Sequence, residues 1–144
     1  MTQERSSDVA TERVIGKFRI EGAYYGEKCF PGLNDLLHEA ERHPMAYNKM
    51  KKQYQMLAVN AIRRHLKGLK ISKKISLHYT FGEPRKGKKR DYDNIVAAGR
   101  KIINDALTQT KTIVDDNPNY LAYGTNEFVY VDKPFIEVII EEIG

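Results

Sequence analysis

Cysteine is almost missing from this chain: Cys29 stands alone among 144 residues. One thiol builds neither a disulfide framework nor a structural zinc site, which suits a reducing cytoplasm. Its expected role is that of a core or loop thiol, not a nucleophile. No apolar run approaches the length of a membrane span. The opening "MTQERSSDVATER" is polar with no apolar core behind it, so neither a membrane partner nor a signal peptide is expected. No internal repeat is visible, which sets aside repeat architectures.

What is present is a chain of single-domain length with a hydrophobic fraction of 41%, enough to bury a real core. Lysine and arginine number 24 against 19 aspartates and glutamates, a formal net charge of +5. That balance favours a polyanionic partner. The cations concentrate in residues 49–74 and 85–90.

Residues 1–12 read as a flexible polar tail and 13–144 as one folded domain. "RVIGKFRIEG" alternates Val14, Gly16, Phe18 and Ile20 with charged or small neighbours and predicts a first strand. "LNDLLHEAERH" predicts a short helix capped by Asn34. From Ala46 to Leu66, Tyr47, Met50, Tyr54, Leu57, Ala58, Ala61, Ile62 and Leu66 recur at helical spacing. The tyrosines and methionines of that stripe are core, not a cofactor box, and no small-molecule cofactor is expected. Lys49, Lys51, Lys52, Arg63 and Arg64 occupy its other faces, either as a solvated surface or as DNA contacts.

"KISLHYTFG" predicts a strand with Ile75, Leu77, Tyr79 and Phe81 on one face and a hydrogen-bonded His78 on the other. "NIVAAGRKIINDAL" predicts a helix over 94–107 that buries Ile95, Gly99, Ile102, Ile103, Ala106 and Leu107. "YLAYGTNEFVYVD" and "PFIEVIIEEIG" predict two strands joined near Asp132–Lys133 as an antiparallel hairpin. The expected fold class is α+β: a single domain with a mixed β-sheet and helices packed on one side.

Between the second strand and the helix lies "EPRKGKKRDYDN". Arg85, Lys86, Lys88, Lys89 and Arg90 make a strongly positive loop, and Asp91 and Asp93 follow at once. In an extended chain both carboxylates point the same way. Locally, Asp93 reads as an N-cap and Asp91 as a counter-charge. "IVDD" adds Asp115 and Asp116, which read locally as turn residues. The pairs also admit a joint reading. If the segment after the helix carries Asp115 or Asp116 back to its start, three carboxylates crowd together and raise one another's pKa unless a cation holds them. Hard oxygen ligands of that kind suit Mg²⁺ in phosphodiester chemistry, with the basic loop collecting the backbone. Lys101 lies roughly 12 Å along the helix from Asp93 and leans back toward it, so it is a candidate to stabilise developing charge; Arg100 is a near rival.

"RDYDN", a helix ending "NDAL", and then "IVDD" together resemble the RusA family of Holliday junction resolvases, small endonucleases often encoded by prophages. Asp91, Asp93 and Asn94 match the family's Asp-x-Asp-Asn. Asp105, Ala106 and Leu107 match its Asp-Ala-Leu, and Asp116, with Asp115 beside it, matches the acidic pair. The resemblance covers about residues 88–120. Counting from the helix end puts the family's basic residue at Lys101, and counting from its start puts Ala97 there; the former is preferred.

The resemblance implies a RusA-like fold and a homodimer with two active sites. Each would be loaded with Mg²⁺ or Mn²⁺, held by Asp91, Asp93 and Asp116 with Asp115 as accessory. It implies symmetric nicking of four-way DNA junctions in recombination and repair, with Lys86, Lys88, Lys89, Arg85 and Arg90 binding DNA. A non-catalytic binder of branched DNA and a broader structure-specific nuclease are the alternatives.

Overall fold

A computed structural model describes residues 13–22 and 24–143. The expected 1–12 tail lies outside the described residues. Seven elements follow one another: β1 (Val14–Glu21), α1 (Leu33–Arg42), α2 (Ala46–Leu66), β2 (Ile75–Pro84), α3 (Tyr92–Gln109), β3 (Leu121–Val131) and β4 (Phe135–Glu142). They form one α+β domain built on a four-stranded mixed sheet in the order β1-β4-β2-β3. Among the described residues no helix is long and apolar enough to cross a membrane.

The strand and helix periodicities place the core as expected. Phe18, Ile20, Ile75, Leu77, Tyr79, Phe81, Val138 and Ile140 are buried on one sheet face, against Ala58 and Ile62 of α2 and Ile102 and Ile103 of α3. Gly99 lets α3 approach the sheet, since a Cβ there would sit 2.8 Å from the Phe81 ring. The other face carries the expected sheet histidine. The Thr125 N–H donates to His78 Nδ1 at 3.2 Å, so the ring proton sits on Nε2, 2.8 Å from the Glu141 carboxylate.

Two expectations are corrected. β3 and β4 are not a hairpin: β3 pairs with β2 in parallel, and β4 lies antiparallel between β1 and β2. The physical reason is the burial of β2 on nearly every residue, which marks a central strand that needs a partner on both edges. The short link from β3 to β4 therefore steps across the end of β2, about 10 Å at two strand spacings. At α1 the N-cap is Gly32, not Asn34, with Asp35 accepting from the Gly32 N–H at 2.8 Å in a capping box. The Asn34 N–H instead donates to Asn94 Oδ1 at 2.7 Å, tying the start of α1 to the start of α3.

Candidate functional site

The end of β2 and the start of α3 are pinned before any charge is placed. Tyr92 stacks on Phe128 with ring centroids 4.1 Å apart, and Phe128 stacks on Phe81 at 5.4 Å. This aromatic row fixes the first turn of α3 against β3. Asp91 and Asp93, on either side of Tyr92, are left exposed. Asp91 occupies the N-cap position with extended backbone, yet its side chain makes no cap hydrogen bond. Neither Asp91 nor Asp93 has a cationic partner among the described residues. The helix dipole favours negative charge there, but the local roles of cap and counter-charge are unfilled.

The five loop cations divide sharply. Arg90 is structural: Nε and Nη2 donate to the two carboxylate oxygens of Glu83 at 2.9 and 2.8 Å, and Nη1 lies 3.4 Å from Asp35. Arg85 binds Asp132 at 3.0 Å. Lys89 donates to the Pro84 carbonyl at 3.4 Å and to the Arg85 carbonyl, and its ammonium lies 4.9 Å from the Tyr130 ring centre. Lys86 and Lys88 are exposed and have no carboxylate partner among the described residues.

Asp115 and Asp116 lie elsewhere. α3 has 18 residues, about 27 Å of helix. After it the chain bridges Ile113 to Ile71 and enters β3, whose Leu121 stands opposite Ile75 at the start of β2. Asp91 and Asp93 follow the other end of β2. The return of Asp116 to the head of α3 therefore does not occur within one chain, because the β2-α3-β3 unit pairs its strands in parallel and must start both at the same end. The two aspartates of the second pair also differ from each other. Asp115 accepts the Asp116 N–H at 2.8 Å and the Asn117 amide at 3.1 Å, while the exposed Asp116 carboxylate has no partner among the described residues. Among the described residues no three histidine, cysteine, aspartate or glutamate side chains are grouped to hold a metal ion. In donor type these carboxylates suit a hard cation; in placement, a single chain does not assemble them.

The two basic residues of α3 have opposite fates. Lys101 is exposed and pairs with Asp105 at 3.4 Å, one turn further from Asp93. Arg100 is buried at 6% exposure. Its guanidinium donates to the Leu77, Gly124 and Thr125 carbonyls at 3.0 to 3.2 Å and to Asn126 at 2.8 Å. It lies 4.3 and 4.2 Å from the ring centres of Tyr79 and Tyr123. It braces the register shift where β3 bulges opposite His78. The signal was present in the sequence, since Arg100 falls on the apolar face of its helix beside Gly99 and three residues before Ile103.

Cys29 lines a cleft of about 480 Å³ with Asp35 and Arg90. Burial pushes its thiol pKa up, away from nucleophilic thiolate. The chain matches no model of a known protein family and no curated protein.

Proposed function

We propose that the chain is a RusA-like, divalent-metal-dependent endonuclease that resolves four-way DNA junctions. The observation that carries the reading is the pair Asp91 and Asp93: exposed, without cap or ion-pair partners among the described residues, and next to Lys86 and Lys88, which have no carboxylate partner there either. Carboxylates held beside a polyanion-binding loop without local partners are the arrangement expected where a cation is the missing partner.

The separation of the two acidic pairs adds a condition. β3 is an edge strand of 11 residues that exposes Tyr123 and Val129, a surface ready for strand pairing. In the proposed homodimer two β3 edges pair antiparallel about a two-fold axis. Asp116 of the partner subunit then lies beside Asp91 and Asp93, and each of the two sites draws on both chains. These carboxylates would hold Mg²⁺ or Mn²⁺, which when bound supplies an activated water and charge stabilisation. Lys86 and Lys88 hold the backbone. Lys101 is the candidate to stabilise developing charge, once its pair with Asp105 opens.

One observation favours the second reading, a binder of branched DNA that does not cut: among the described residues no three carboxylates are grouped to hold a metal ion. Incubation with a labelled four-way junction and a matched linear duplex, in Mg²⁺ and in EDTA, separates the two. Paired symmetric nicks confined to the junction and lost in EDTA support the resolvase; tight binding without cleavage in Mg²⁺ or Mn²⁺ supports the binder.

A further inference from the structure

Between Glu41 and Glu83 the chain contains no aspartate or glutamate, while ten lysines and arginines fall there. α2 lies wholly inside this stretch, with no acidic residue in its first turn and Arg63, Arg64 and His65 in its last. Its cations do not all face the same way. Lys51 is turned toward α3 and pairs with Asp105 at 2.8 Å. Lys49, Lys52, Arg63 and Lys67 are exposed, and none has a carboxylate partner among the described residues.

These four recur, with Met56 and Asn60 between them, at intervals of three and four residues from Lys49 to Lys67. Side chains so spaced form one stripe along a helix. At 1.5 Å per residue the stripe runs about 27 Å, the rise of about eight base pairs. A surface helix that balanced its own charges would intersperse acids at i+3 or i+4; this one has none. Lys67 caps α2 at φ 48°, in the left-handed region that glycine takes more readily.

We propose that the outer face of α2, along Lys49, Lys52, Arg63 and Lys67, is a nucleic-acid backbone site separate from the 85–90 loop. The inference rests on the reading of the chain as a DNA-acting protein and enlarges its DNA-binding surface. A groove of about 940 Å³ at the head of α2, lined by Tyr25, Met45 and Met56 among its cations, is the feature that a protein partner would use instead. The stripe continues well past that groove, to Arg63 and Lys67, and two pairs of cations at the ends of a stripe of that length fit a polyanion better than a peptide.

The test is fluorescence anisotropy of a labelled four-way junction with the full chain, in EDTA, between 50 and 200 mM KCl. Lys49→Glu with Lys52→Glu, Arg63→Glu, and Lys67→Gly are compared with wild type. Expected are a loss of junction affinity of roughly tenfold or more for the double variant, and a log–log salt slope shallower by about 0.9 for each phosphate contact removed. Lys67→Gly keeps or raises the melting temperature and still flattens the slope, which separates lost contact from lost fold. Variants that bind with wild-type affinity and slope, while Lys86→Ala with Lys88→Ala weakens binding, overturn the inference and leave the face to solvent or a protein. A wild-type chain that binds the junction but cuts nothing overturns the nuclease reading alone, and one that binds no DNA overturns both.

Discussion

Arg90 grips Glu83 through two parallel hydrogen bonds of 2.9 and 2.8 Å, and the Glu83 side chain is only 7% exposed. The ion pair closes the basic loop onto the end of β2. Arg90→Ala strands a buried carboxylate and is expected to destabilise the fold by about 3–5 kcal/mol. Arg90→Lys recovers only part of that, since an ammonium cannot match both oxygens. Lys86→Ala with Lys88→Ala changes stability by less than about 0.5 kcal/mol, because neither lysine has a carboxylate partner among the described residues to lose. Urea unfolding of the three variants checks this. Equal stability of Arg90→Ala and wild type would show that the pair is not what holds the loop.

Arg100 carries a comparable load inside the sheet. Two of its three carbonyl acceptors belong to Gly124 and Thr125, the residues that bulge out opposite His78. Arg100→Lys has fewer donors than the four acceptors it must serve, so a carbonyl or the Asn126 Oδ1 loses its partner, and it should lose roughly 2–3 kcal/mol. Gly124→Ala attacks the same bulge from the other side: its Cβ would fall 2.1 Å from the Leu77 carbonyl oxygen, so a loss of about 3 kcal/mol or more is expected. Thermal unfolding reads both. Cleavage by the Arg100→Lys protein, assayed well below its melting temperature, should survive, which a catalytic role for Arg100 would not allow.

What could be read before the structure, and what could not, divides along physical lines. The stripes of α2 and α3 and the alternation in β2 were legible because burial repeats at the period of the element. The pairing of β3 with β2 was not, since adjacency in sequence favours a hairpin, and only the parallel register of β3 along β2 decides against it. The same parallel pairing governs the acidic pairs. Asp91 with Asp93, and Asp115 with Asp116, stood out as motifs. Their separation by the length of α3 is a property of topology, which residue spacing does not carry. Arg100 lies on the apolar face of α3, and its hydrogen bonds to β2 and β3 follow from that position, which its charge alone does not reveal.

The cleft beside Cys29 yields a pH-dependent outcome. Burial is the largest cause of its raised thiol pKa, with the Arg90 charge opposing. The folded state thus favours the protonated thiol. Its contribution to stability is fully present below the ordinary thiol value of about 8.5 and is lost as pH rises through the higher folded value. Alkylation of the native protein by iodoacetamide should show a midpoint above that of a free thiol, and the wild-type chain should lose more stability between pH 8 and 10 than Cys29→Ala. A native midpoint below the free-thiol value would mark Cys29 as an activated thiolate.

The distance between the acidic pairs makes the proposed active site testable without any structure of a complex. If each site combines Asp91 and Asp93 with Asp116 of the partner subunit, Asp91→Asn and Asp116→Asn homodimers are both inactive. Co-refolded together, half of the dimers are mixed. In a mixed dimer one site collects both substitutions, and the other is wholly wild type. About a quarter of all sites are then intact, and nicking of one junction strand returns while paired cleavage does not. If the site were built within each chain, every site in the mixture would carry one substitution and no activity would return. An affinity tag on the Asp91→Asn chain alone, with the untagged Asp116→Asn chain recovered through it, confirms that mixed dimers formed. A return of single-strand nicking would therefore fix the partner's contribution, and a mixture as inactive as its parents would send the search for the third carboxylate back into the single chain.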